Sequence, residues 1–318
     1  MSVLQSRWAE QPGAMLEQVQ RMLDRASRPG YAHLYGQAEK QLSVPVHNDS
    51  ERMLVWLLWA EVEQHQHNFD SALSALGRVF ESDSTHVEAR LMAARIRLIQ
   101  GEYEQARQHC LALIGNTDLL TASICALEVA SYRGSLKSSY QQLTALVARQ
   151  GVPEDARGAW VVQMLADMAL RLEQAEEAAH WLDQRFSNAN VSYLLQWADA
   201  QLALAQFEVV MRRLEPIVDA APAVDDSLAL RLALAEKALE GRKWQDYIAS
   251  RMTLRVQRED TEHAADLARY YLHLEPNPEK ALHWAEVNWE SAREHADRQL
   301  LLQARNGVKK PSPDGESE

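Results

Sequence analysis

Few residues in this 318-residue chain stand at spacings that chemistry requires. His65 and His67 form a His-x-His pair of metal-ligating type. Residues two apart on a helix do not share a face, however, and no third ligand accompanies them. Cys110 and Cys125 lack the spacing of a zinc site. The simpler expectation for them is two buried free thiols. The alternative is a disulfide, because the interval places one late in a helix and the other early in the next, and a disulfide would imply an oxidising compartment. His-Glu-x-x-His, Gly-x-Ser-x-Gly, phosphate-loop and Gly-x-Gly-x-x-Gly motifs are all missing from the sequence. Carboxylate pairs such as Glu176-Glu177 read as solvated helix faces. The expectation is therefore no catalytic centre, no cofactor and no metal.

The chemistry being sparse, the elements carry the information. The chain holds only 12 glycines and 10 prolines, too few for a sandwich or barrel with many hairpins. Its net charge of -12 argues against a partner with a phosphate backbone. The longest apolar runs, such as Met53 to Ala60, fall well short of a membrane span and read as core helix. Most of the nine tryptophans, among them Trp56, Trp59, Trp181, Trp284 and Trp289, sit at core spacing in helices. No signal peptide is read at the N-terminus, and residues 307–318 have the composition of a disordered tail.

A period organises the remainder. His67–Phe80 (HNFDSALSALGRVF) is echoed by Gly101–Ile114 (GEYEQARQHCLALI), which places Phe69 and Tyr103, then Ala72 and Ala106, 34 residues apart. Each block follows an amphipathic stretch, so the unit is helix, tight turn, helix. Further second-helix anchors fall at Leu136, Ala175, Phe207, Trp244 and Pro278. Small residues recur three positions later at Ala72, Ala106, Ala178 and Ala281, where two helices must approach closely; Val210 and Tyr247 intrude at the equivalent places. Thr85-His86-Val87-Glu88 reads as a capping box, and Asn277-Pro278 as an N-cap with proline at the first helical position. Gly101, Gly134 and Gly241 fall at turns where a left-handed backbone is expected. The predicted organisation is an N-terminal helix pair in 1–50, about seven repeats over 51–290, a capping helix over 291–306 and the tail.

At Trp56, Ala60, Phe69 and Ala72, and at Ala94, Gly101, Tyr103 and Ala106, the chain resembles a tetratricopeptide-repeat protein. The likeness spans roughly 51–290 and is most specific over 53–114; Arg90 and Leu127 depart from the pattern. It implies an all-α, right-handed superhelical solenoid. The stretches QHQHNFDSALSALGRVF, RLALAEKALEG and NPEKALHWAEVNWESAREHADRQLLLQA are similar to bacterial proteins of this family. Such relatives are often exported, which implies a periplasmic mature chain, with the cytoplasm as the alternative.

In arrays of this family the first helices line a concave groove, their fifth and ninth positions pointing into it. Here the candidate groove residues are Leu57, Leu91, Ile124, Leu195 and Leu232 at fifth positions, with Glu61, Glu128, Asp167, Asp199 and Glu236 at ninth positions. Five of the seven ninth positions are acidic. Such a stripe would suit a partner protein or peptide with basic and apolar side chains. Against it stands the plainer reading that an acidic chain has acids on every face, and that the apolar stripe is core. The function implied is a non-catalytic protein–protein scaffold or adaptor. The alternative is a receptor sensing a peptide or small molecule in the groove. Trp8 and the N-terminal pair offer a surface for self-association.

Overall fold

The computed structural model describes residues 12–43, 49–187 and 189–309. Trp8, one part of the expected self-association surface, lies outside the described residues. Among the described residues seventeen α-helices, numbered here in chain order, make an all-α solenoid, and no strand occurs. A pair α1 (Pro12–Ala26) and α2 (His33–Leu42) comes first. Seven further pairs follow: α3 (Asp49–His65) with α4 (Phe69–Ser82), α5 (Val87–Ile99) with α6 (Tyr103–Leu111), α7 (Leu119–Ala130) with α8 (Leu136–Gln150), α9 (Ala156–Arg171) with α10 (Ala175–Asp183), α11 (Val191–Ala203) with α12 (Phe207–Ala220), α13 (Asp226–Ala238) with α14 (Lys243–Gln257), and α15 (Ala264–His273) with α16 (Pro278–Ser291). The last helix, α17, runs His295–Lys309. It therefore ends beyond the expected limit of 306 and enters the stretch expected to be a tail, whose remaining residues are not described.

Helices that pack on both sides need apolar residues on more than one face. In α3, Leu58 and Val62 join Met15, Leu16, Val19 and Leu23 of α1 in one core cluster. Leu57 and Ala60 of the same helix join Phe69, Ala72 and Leu76 of α4 in another. The repeated small positions are fully buried at Ala72, Ala106, Ala178 and Ala281. Ser139 holds that place in α8 and is also buried. At Tyr247 the side chain stays half-buried and its hydroxyl donates to Asp226 Oδ1 at 3.3 Å, while Ile248 supplies the buried contact instead.

Five of the turns between paired helices share one geometry. Amide N–H groups of Asn68, Glu102, Gln174, Gln206 and Gly241 reach back to the carbonyls of Glu63, Arg97, Ala169, Gln201 and Glu236. These are the back-bonds of a helix closed by a left-handed residue. That residue is glycine at Gly101, but His67, Glu173, Ala205 and Glu240 adopt positive φ in the other four turns. Gly241 does not have positive φ; a Cβ there would lie 2.3 Å from Glu236 Cγ, so its glycine serves a close approach. The cap of α5 also differs from expectation. His86 is the N-cap, its Nδ1 accepting from the Ala89 amide, and Asp83 holds the Thr85 hydroxyl and amide.

Cys110 and Cys125 are joined in a disulfide, with Cα atoms 5.5 Å apart, which corrects the expectation of free thiols. The bridge ties the end of α6 to α7 across a turn that exposes Ile114, with Leu119 exposed at the first position of α7.

Distant parts of the chain also meet. The Val191 amide donates to the Ser27 carbonyl at 2.9 Å, and the Arg293 amide to the Ile99 carbonyl at 2.7 Å. Gly30, at φ +83°, sits so close to the α12–α13 connection that a Cβ would lie 2.6 Å from the Ala223 carbonyl oxygen. The N-terminal pair thus rests against the middle of the array, and the segment before α17 rests against α5.

Candidate functional site

The acidic stripe does not stand open. Glu236 is buried, and its Oε2 accepts the Trp244 and Gln245 amides at 2.7 and 2.9 Å, capping α14 from the preceding helix. Asp199 receives Arg231 through two hydrogen bonds of 2.8 and 3.0 Å. The same guanidinium bonds Asp266 at 2.7 Å, so one buried arginine joins α11, α13 and α15. Asp167 pairs with Arg171 at 2.9 Å. Glu128 pairs with Arg95 at 2.9 Å, and Arg95 also holds Glu294 at 2.8 Å. The ninth-position register marks the acids and not these arginines, although Arg95 stands in that register itself.

The apolar half of the expected groove is corrected as well. Leu57, Ile124 and Leu232 are buried in the packing between helices and do not face a groove. Such first helices are apolar around most of their surface, so position within the helix did not separate groove from core. Leu195 is half-buried against the core. Leu91, Glu128 and Glu61 do line open space.

That space has two lobes. The first, of about 410 Å³, lies across the first helices α3, α5, α7, α9 and α11. Its apolar wall is Leu91, Met92, Leu98, Val129, Trp160 and Met164. The second, of about 450 Å³, is bounded by Tyr35 of the N-terminal pair, by Glu61, His65 and Phe69, by Glu262, and by Glu294 and Asp297 before and at the start of α17. Gln64, Arg95 and Ser192 border both.

Electrostatics differ between the lobes' walls. Burial works against the Arg95 charge, but Glu294 and Glu128 outweigh it and hold the guanidinium above its ordinary pKa. Burial raises Glu128 to about 7, with Arg95 opposing and Asp167 and Glu294 adding to the rise. Burial also raises Asp266, yet Arg231 and Arg269 reverse that and bring it to about 2. Glu61 is raised to about 7, first by burial and then by the carboxylates of Asp24 and Glu88. His65 is lowered to about 4 by burial, with His67 and His263 adding to the effect, so it is a neutral ring at pH 7. That ring stacks on Tyr35 with centroids 3.5 Å apart.

His65 is thus an aromatic wall, and His67 occupies a left-handed turn position with its ring 5.5 Å from that of Phe69. Among the described residues, Asp260, Glu262 and His263 are the group with three donor atoms within 4.8 Å. Asp260 there already accepts from Arg255 at 2.5 Å and contacts His263 at 3.0 Å.

Residues 64–117, from the end of α3 through α6, match the family model for the tetratricopeptide repeat. No curated protein matches the sequence. Solved structures with a similar course include Pseudomonas aeruginosa PilF (16% identity, TM-score 0.43, 65% of this chain and 92% of that one). A tetratricopeptide repeat protein from Parabacteroides merdae has 13% identity and a TM-score of 0.41, covering 92% of this chain and 100% of its own. The P58(IPK) TPR domain has 14% identity and a TM-score of 0.27, over 92% and 98%.

Proposed function

With residues 64–117 a tetratricopeptide-repeat segment inside an all-α solenoid, we propose that the chain is a non-catalytic protein-interaction scaffold. The partner segment lies along the first-helix face at the lobe formed by Leu91, Met92, Trp160 and Met164. The observation that carries this reading is that one apolar cavity spans five successive first helices, the arrangement in which an extended segment meets a new helix every few residues. Glu88 at its edge favours a partner with basic as well as apolar side chains. The Cys110–Cys125 disulfide supports an oxidising compartment, the periplasm for a bacterial chain.

The test begins with photo-crosslinking from position 91 in the source cell to identify the partner, followed by affinity measurements on the purified pair. Leu91→Asp and Gln163→Arg should each weaken binding at least tenfold. Arg78→Glu, on the exposed face of second helix α4, should leave it unchanged. Loss at Arg78 with none at Leu91 and Gln163 overturns the reading.

A further inference from the structure

The second lobe has features that a bare protein-docking groove does not need. Its carboxylates Glu61, Glu262, Glu294 and Asp297 face one guanidinium, Arg95, which Glu128 and Glu294 already engage. Asp297 is occupied too, accepting from Asn288 at 2.8 Å and from the Glu294 amide at 3.0 Å. Glu61 and Glu262 have no hydrogen bond or ion pair among the described residues. The lobe is therefore short of positive charge.

Its remaining lining mixes the polar Gln64, His67, Ser192 and Asn288 with aromatic and aliphatic side chains. The stacked Tyr35–His65 pair, Phe69 and Ile99 line the same space. Aromatic faces attract organic cations through the ring quadrupole. A bare metal ion would need several donors converging within ligating distance; of the residues bordering this lobe only Glu262 belongs to such a group, and its companions Asp260 and His263, which contact each other at 3.0 Å, do not line the lobe. A volume of about 450 Å³ fits a small organic molecule.

We propose that this lobe is a binding site for a small organic cation, a primary ammonium or guanidinium on a short apolar body, with Glu61 and Glu262 as its counter-charges and the Tyr35–His65 stack against its apolar part. The site is independent of the scaffold reading, because it needs no partner protein. It adjoins the first lobe through Gln64, Arg95 and Ser192, so an occupied site would border any segment bound there. Glu61, raised by burial and by Asp24 and Glu88, gives binding a proton signature. A cation beside it lowers its pKa, so binding near pH 7 releases protons and tightens as pH rises. Tyr35, Arg95 and the neutral His65 and His67 are the other titratable groups of that wall.

The experiment is calorimetry on the full chain with 2-phenylethylamine, 2-phenylethanol and phenylacetate, in buffers of different ionisation enthalpy. Acetyl-Phe-Lys-amide is included to separate a free amine from a basic side chain of a peptide. The amine is expected to bind with Kd of about 0.1–1 mM, a fragment's affinity. The alcohol should bind at least tenfold more weakly, and the acid more weakly still. Preference for the dipeptide over the amine would assign the cation to a peptide; the reverse would assign it to a metabolite. Glu61→Gln should weaken the amine tenfold and abolish proton release. Glu262→Gln, at an exposed rim position where folding is not at risk, should weaken it at least threefold. Equal binding of amine and alcohol, no amine binding at 10 mM, or unchanged affinity in the Glu262 variant each overturns the proposal.

Discussion

The amide of Arg293 donates to the carbonyl of Ile99 at 2.7 Å, joining the segment after α16 to the end of α5. The Arg95–Glu294 ion pair lies beside this bond and brings Glu128 into the same cluster. Removing the central cation leaves two carboxylates facing each other in a poorly solvated place. Arg95 keeps about a third of its side chain exposed, so Arg95→Met is expected to destabilise the fold by about 1–3 kcal/mol. Adding Glu128→Gln and Glu294→Gln should recover much of the loss. Urea denaturation of the single and triple variants checks this.

Histidines set the acid limb of stability. His65 and His109 are each lowered to about 4, His65 mainly by burial and then by His67 and His263, His109 by burial and then by Arg90 and Arg97. Between pH 6.5 and 4 the unfolded chain binds protons that the folded chain does not, so stability is lost as pH falls through that window. His109→Gln should flatten the decline by roughly 2 kcal/mol at pH 4. A decline of unchanged steepness would show that His109 is not held neutral.

Glu61 acts with the opposite sign. Its folded pKa of about 7 lies above the carboxylate range of the unfolded chain. The folded state therefore keeps a proton that the unfolded state has lost, and stability falls as pH rises from about 4.5 to 7. Relative to the parent, Glu61→Gln should gain roughly 2 kcal/mol at pH 8 and nothing near pH 4. Thermal melts at the two pH values separate the cases.

The disulfide closes a loop between residues 110 and 125. A loop of this length stabilises by about 3 kcal/mol in the chain-entropy account. Paired serine substitution at Cys110 and Cys125, or reduction of the parent, should lower Tm by the corresponding amount. Limited proteolysis should then cut first between Ile114 on that turn and Leu119 at the start of α7, both already exposed.

Glycines separate by what surrounds them. Gly30→Ala meets both a left-handed backbone and the Ala223 carbonyl, and should cost more than about 2 kcal/mol by prying the N-terminal pair from the array. Gly36 lies inside α2, and a Cβ added there would meet no atom within 4 Å, so Gly36→Ala should stabilise by about 0.5–1 kcal/mol. Chemical denaturation of the two variants decides the contrast.

Helix pairing was legible because close packing leaves a strong mark. Ala72, Ala106, Ala178 and Ala281 are small where two helices touch, and the sequence shows them at regular intervals. Left-handed turns were legible only where glycine fills them. Gly101 announces its turn, whereas Glu173, Ala205 and Glu240 take the same backbone under tertiary constraint. The groove leaves a fainter mark. Asp199 and Glu236 look alike in register, yet one meets Arg231 and the other caps α14, and neither partner is marked by the repeat pattern. Of the five acids at that position, Glu61 is the one whose carboxylate has no partner among the described residues and faces the second lobe.

The contact of Ser27 with Val191 changes how this molecule should come apart. Linear arrays unravel from their ends, each unit depending on its nearest neighbours alone. Here the first pair is fastened to the middle of the chain and the segment before the last helix to α5, so neither of these end units is terminal in the energetic sense. Unfolding that proceeds past α17 or through the first pair must undo contacts with an interior unit, and loss of the array is expected to be a single cooperative event. The long chain separations spanned by these bonds also put the last steps of folding behind a slow search, since both ends must find interior partners that form early.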